Sequence, residues 1–149
     1  MTEISRTAAF GKLNSVAYKG LEGATVFCKL RGNPYVELVH WFAQILQAPD
    51  SDLQRLVKHF ELDSGRLSKD ITDALDRLPR GATSISDLSS QLDDAVRSGW
   101  VYATLMFGDT SIRTCHLLVG ILKTTSLRNT LMAISRQFER INLDTLTAE

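Results

Sequence analysis

The stretch Val36-Glu37-Leu38-Val39-His40-Trp41-Phe42-Ala43-Gln44-Ile45-Leu46 returns 76 positions on as Ile112-Arg113-Thr114-Cys115-His116-Leu117-Leu118-Val119-Gly120-Ile121-Leu122. A β-branched residue, a histidine and an Ile-Leu pair recur in register, and Gly32 meets Gly108 ahead of them. Two copies are too few for a solenoid, so the repeat predicts two similar units packed face to face as one pseudo-twofold domain.

Working outward from the first copy, the punctuation is that of helices. Asn14 can cap a helix running to Arg31, where Gly32-Asn33-Pro34 stops it, because proline breaks the hydrogen-bond ladder. The helix from Glu37 to Gln47 is apolar on most sides, as a buried central helix would be. Asp50 or Ser51 caps a third helix carrying Leu53, Leu56, Val57 and Phe60, and Asp63 caps a fourth carrying Leu67, Ile71, Leu75 and Leu78. Pro79 ends the unit, and residues 80–86 read as a linker rich in turn-forming residues. The plan then repeats: Ser86 caps a long helix to about Phe107, Thr114 caps the buried one, and Asn142 opens a fourth that the chain ends two turns into. No strand signal is visible. The expected fold is therefore all-α, with two tandem four-helix repeats (14–79 and 87–149, the second truncated) and an N-terminal segment, 1–13, forming a short extra helix.

Composition narrows the function classes. With 149 residues and 44% hydrophobic content, the chain can bury a core unaided. Charges balance at 17 against 17, and no basic block marks a nucleic-acid or anionic-membrane footprint. The two cysteines, Cys28 and Cys115, sit inside apolar helical patterns, which fits a reducing cytoplasmic setting. The first residues lack the apolar core of a signal peptide, and no run approaches a membrane span.

Two four-helix units with a glycine-ended first helix and a second helix of the form I-x-T-x-H-L-L-x-x-I-L resemble the N-terminal domain of the Clp unfoldases, which are AAA+ machines. Leu38 and Val39 stand where the common form has Thr-Glu, and Cys115 replaces a glutamate. The string from Lys29, KLRGNPYVELVHWFAQIL, together with the added segment ISRTAAFGKLN, is similar to the ClpV-type unfoldases of bacterial type VI secretion. That resemblance implies a recognition domain, itself not an enzyme, for an amphipathic N-terminal helix of the larger contractile-sheath subunit. It also implies a hexameric parent whose missing ATPase modules bind ATP and Mg²⁺, while this fragment stays monomeric. The chain has no G-x-x-x-x-G-K-[ST] loop of its own.

The residues offer a place for such a helix. On the first helix, Val16, Ala17, Leu21, Ala24, Phe27 and Cys28 share a core face, and Ser15, Lys19, Glu22, Val26 and Lys29 lie opposite. The preceding segment is more apolar than a frayed terminus: Ile4, Ala8, Ala9, Phe10 and Leu13 must cover something. A groove between it and the first helix would have Val26 as floor, Phe10 and Leu13 on one wall, Ile85 and Leu88 on another, and Lys19 and Glu22 as polar rims. Ordinary core packing is the competing reading for Ile85 and Leu88, and a stray surface valine for Val26.

Three other chemistries are weaker. Cys115 beside His116 at a helix N-terminus suggests a thiol nucleophile, yet helical neighbours point about 100° apart, so a buried thiol and a hydrogen-bonded core histidine matched by His40 is the better reading. Three histidines and two cysteines have no metal-ligand spacing, and His59 is expected at a solvent edge. Residues 56–71 read like a helix-turn-helix and make a DNA-binding regulator the alternative function, but Asp70, Asp73 and Asp76 would approach phosphates.

Overall fold

The computed structural model describes residues 10–48, 51–85 and 87–142. Helix α1 spans Ser15–Arg31, α2 Leu38–Gln47, α3 Asp52–His59 and α4 Ser64–Asp76; the second repeat has α5 Ser90–Leu105, α6 Thr114–Lys123, α7 Thr125–Ile134 and a 3₁₀ turn Arg136–Arg140. Side-chain caps set most starts: Asn14 accepts from Ala17 N at 2.9 Å, Ser51 from Gln54 N at 3.2 Å and Asp63 from Arg66 N at 3.0 Å. Gly32 closes α1 in the left-handed conformation, φ 71°, as Gly108 does after α5 with φ 66°. Of the extra N-terminal helix expected over 1–13, only residues 10–13 are described, Phe10 being helical before the chain turns into the Leu13 bridge, and the fourth helix of repeat two that Asn142 was expected to cap falls outside the described residues.

Two starts differ from expectation. The cap of α5 is Ser89, accepting from Leu92 N at 3.1 Å, and not Ser86 as expected, because the chain first makes a strand at Asp87–Leu88. Thr114 is the first helical residue of α6 and not its cap; the orphan donor there, Arg113 N, is taken by His116 Nδ1 at 2.9 Å. Glu37 N donates to His40 Nδ1 at the same distance, 2.9 Å. The histidine that marks the repeat is thus a capping residue reaching back from within its own helix.

Although the sequence shows no strand signal, two short parallel pairings lock the repeats. Strand β1 (Tyr35–Val36) pairs with β2 (Asp87–Leu88), Val36 opposite Leu88, and an isolated bridge joins Leu13 to Ile112. Ser89 N donates to Val36 O at 2.8 Å, and Asn14 N to Ile112 O at 2.9 Å. Each repeat's first-helix leader lies beside the entrance to the other repeat's central helix. These pairings join residues about fifty to a hundred apart in sequence, so local patterning carries no trace of them.

The core is one cluster running through both units, centred on Trp41, Phe42, Leu117, Leu118 and Phe138, each no more than 1% exposed. Trp41 Nε1 donates to Ala17 O at 3.0 Å, fastening α2 to α1. On α1 the buried positions are Ala17, Leu21, Ala24 and Cys28, and on α5 they include Leu92, Val96, Gly99 and Ala103, the same positions 75 residues on. Small residues let the paired helices close in. In repeat one the crossing sets Gly23 against Gln44, and in repeat two it sets Ser98 against Gly120, so the glycine changes helix and faces a long side chain in one repeat and a short one in the other.

A Cβ on Gly23 would meet only the flexible end of Gln44, its Oε1 at 2.7 Å, and that amide can swing away. Gly23→Ala is therefore expected to raise stability by up to about 1 kcal/mol through helix propensity. Thermal melting should show a midpoint at or slightly above wild type; a fall of several degrees would mean that Gln44 is held rigidly.

Candidate functional site

Successive residues on α1 turn by 100°, which places Lys19, Glu22, Val26 and Leu30 within one narrow stripe pointing away from the core. All four are exposed, Val26 to 60% and Leu30 to 80%. A single surface valine is ordinary, but two apolar side chains on adjacent turns of one face form a contiguous patch. Leu30 sits between Lys29 and Arg31 at the basic end of the helix, which masks it in the sequence although it stands i+4 from Val26.

The flank of this stripe is concave. A cavity of about 330 Å³ between α1 and α2 is lined by Val16, Lys19, Gly20, Gln44, Gln47 and Ala48. Between α2 and α4 a second, about 300 Å³, is lined by Phe27, Ala43, Leu46, Ile71 and Leu75 and shares Gln47 with the first. The face thus combines apolar floors with the amide and ammonium rims that orient a helical ligand.

The remaining expected groove residues are distributed differently. Leu13 is only 9% exposed and pairs with Ile112, so it belongs to the core and offers no wall. Phe10 is half-buried against the same core, and Lys12 Nζ sits 5.4 Å over the Trp100 ring of α5. Ile85 and Leu88 are also half-buried, with Leu88 paired to Val36. Phe10 and Leu13 are the counterparts of Ile85 and Leu88, 75 positions apart, so each pair packs along the opposite repeat. Lys19, Glu22 and Val26 are brought together; the two apolar pairs are divided between repeats by the pseudo-symmetry.

The histidine–cysteine pair lacks the parts of a nucleophile. Burial, with the Asp52 carboxylate nearby, pushes the Cys115 thiol up to about 12, so the thiolate is disfavoured. His116 has both ring nitrogens engaged, Nδ1 with Arg113 N and Nε2 with Asp109 Oδ2 at 2.9 Å, and no lone pair faces the sulfur. Asp52 instead clamps the repeats, taking Arg113 through two bonds of 2.6 and 3.1 Å and Cys115 N at 3.3 Å. Cys28 is fully buried, its Sγ 3.2 Å from Tyr35 O.

Charge gives the helix-turn-helix reading no support. On α4 Arg66 is bound to Asp70 at 3.1 Å, and Asp76 holds both Arg31 at 2.8 Å and Arg80 at 2.9 Å, so these three cations answer carboxylates of the domain instead of standing free for phosphate. A cleft of about 850 Å³ between α4 and α7 is a polar seam whose charges answer one another: Asp70 also accepts from Ser135 Oγ at 2.7 Å, and Arg136 meets Glu139 at 3.3 Å. His59 is exposed at the end of α3 and stacks edge-on with Phe60.

Two interlocked helical repeats with a solvent-facing apolar stripe define a module of the protein-recognition class. The chain belongs to the family of Clp repeat (R) N-terminal domains, whose profile matches residues 12–134. It is 63% identical over 147 residues to the AAA+ ATPase ClpV1 of Pseudomonas aeruginosa, a match covering 99% of this chain but 16% of that much longer protein. Among solved structures it is similar, at TM-score 0.95 and 62% identity, to one from work on the coevolution of the ATPase ClpV, the TssB–TssC sheath and the accessory HsiE protein in two type VI secretion classes; the match covers 99% of this chain and 91% of that one. A complex of a ClpV N-domain with a VipB peptide shares the fold at TM-score 0.84 and 21% identity, covering 99% and 89% of the two chains.

Proposed function

We propose that this chain is the recognition domain of a type VI secretion unfoldase. It binds an amphipathic N-terminal helix of the larger contractile-sheath subunit and hands it, in the cytoplasm, to a hexameric ATPase ring for sheath disassembly and recycling. The observation that carries the reading is the exposed Val26–Leu30 pair, in line with Lys19 and Glu22 and beside the cavities that flank α2. A helix with apolar residues at i, i+3, i+4 and i+7 matches such a face, and its buried anchors would supply most of the affinity. The likeness to ClpV1 supports the assignment. In this reading ATP and Mg²⁺ are bound by modules beyond this chain.

Calorimetric titration with a synthetic peptide of the sheath subunit's N-terminus tests it. Val26→Glu places a charge where an apolar anchor would be buried and should weaken binding at least about tenfold, with circular dichroism and melting unchanged. Lys19→Ala and Glu22→Ala should each cost no more than about threefold, as rim charges do. Glu139→Ala, at the seam between α4 and α7, should leave affinity as it is. Deleting residues 1–12 is a poorer probe, because Lys12 O accepts from Ile112 N at 2.7 Å and its loss opens the inter-repeat bridge. Unchanged affinity in Val26→Glu would move the site off α1.

A further inference from the structure

The second repeat carries its own version of the α1 stripe. Seventy-five positions after Lys19, Glu22, Val26 and Leu30 stand Asp94, Arg97, Val101 and Leu105 on α5, with the same i, i+3, i+7, i+11 spacing along one helix face. Val101 is 39% and Leu105 82% exposed, and Asp94 also faces solvent. The apolar pair is kept in kind. The charge pair is inverted: a cation then an anion on α1, an anion then a cation on α5. None of these four charged side chains has a hydrogen-bond or ion-pair partner among the described residues, and the half-buried Arg97 keeps its Nε wholly without one.

We infer that the α1 stripe of one copy of this domain docks on the α5 stripe of a second copy, the two helices parallel, with Lys19 against Asp94, Glu22 against Arg97, and Val26–Leu30 against Val101–Leu105. Charge order selects this arrangement. An antiparallel packing sets Lys19 against Leu105 and leaves every charge unmatched, and packing either stripe on its own kind in parallel opposes like charges. The contact is heterologous, so the pair keeps a free α5 stripe on one copy and a free α1 stripe on the other and the next copy can add, which is the geometry that closes into a ring or runs on as a chain. Two stripes of about 16 Å bury far less than a stable dimer needs, so the contact is weak between free domains and gains when copies are already held side by side. It takes the same α1 stripe as the proposed peptide, so on any one copy the two exclude each other; its test contains no peptide, so its failure and the failure of the peptide reading are distinguishable.

The test is directed disulfide trapping between two preparations of the chain, one carrying Leu30→Cys and the other, differently tagged, Leu105→Cys. The native thiols stay out of the reaction, Cys28 being fully buried and Cys115 held as the thiol. Mixed at high concentration under mild oxidation, the two should give cross-linked heterodimer well above the roughly one half that random collision yields. Reversing Asp94→Lys and Arg97→Glu in the second chain should bring the heterodimer down to that random half or below it. Reversing Lys19→Glu and Glu22→Lys in the first as well should restore it, which also shows that the altered chains fold. A heterodimer fraction at the random value, or one indifferent to charge reversal, overturns the contact.

Discussion

Gly120→Gln is expected to cost the domain about 3 kcal/mol, a fall of roughly 10 °C in melting midpoint, even though glutamine occupies the equivalent position, Gln44, in the other repeat. A Cβ at 120 would come within 2.9 Å of Ser98 Cβ and 3.0 Å of Gly99 N and the Ser98 carbonyl carbon. Two of those three are backbone atoms and cannot turn aside, so α5 and α6 must part. Helix propensity returns only about 1 kcal/mol of the loss. Adding Ser98→Gly reproduces the Gly23–Gln44 arrangement of repeat one and removes the nearest clash. The double variant should therefore recover about half of the loss, the backbone contacts accounting for the rest. Equal melting of single and double variants would show that the two crossings are not interchangeable.

This swap explains why so much of the fold was legible and why some was not. The elements could be read because their ends are written locally: Asn14, Ser51 and Asp63 are side-chain caps within three residues of the donors they satisfy, and Gly32 and Gly108 close their helices at positive φ. The start of α6 was misread for the complementary reason. Its cap comes from His116, a residue inside the helix, and nothing about Arg113 or Thr114 advertises it. The strand at Asp87–Leu88 could not be seen at all, since its partner is Val36 and its neighbour Ser89 looks like any other cap residue.

The candidate site was half legible for a related reason. Helical periodicity identifies which face of α1 is turned outward, and so Lys19, Glu22 and Val26 were found together. It does not identify which repeat a leader segment leans on. Apolar character at Phe10, Leu13, Ile85 and Leu88 correctly marks residues that need cover, but the cover is a cross-repeat pairing that separates them. The interlocking has a functional consequence. With each leader held by the opposite repeat and Asp52 bridging to Arg113, α1 is carried on a braced frame, so under the proposed function a helix docking on α1 would meet a preformed face and spend little binding energy on ordering it.

Acidification from pH 7 to 4 should remove about 3 kcal/mol of stability through one buried ring. His40 is fully buried and its Nδ1 accepts from Glu37 N, which fixes the proton on Nε2; Nε2 donates to Asn33 Oδ1 at 2.9 Å. Burial first, and then the nearby Arg31 charge, press its pKa down to about 4. In the unfolded chain the ring titrates near the ordinary 6.5, so between those values the unfolded state holds a proton that the native state lacks, and stability falls as pH falls. The carboxylate Asp52, also held below its usual value, contributes its loss only further down, below about pH 4. Repeat two supplies the control. His116 occupies the same capping position and burial lowers it too, but its Nε2 meets the Asp109 carboxylate where His40 has the neutral Asn33, and that charge opposes the fall. Asp109→Asn keeps an acceptor and removes the charge. It should leave stability at pH 7.5 close to wild type, move the His116 titration lower, and steepen the loss between pH 6.5 and 4. Denaturant unfolding across that range, paired with NMR titration of the two rings, reads both effects; a His116 titration that does not move in Asp109→Asn would show that the carboxylate is not its partner in solution.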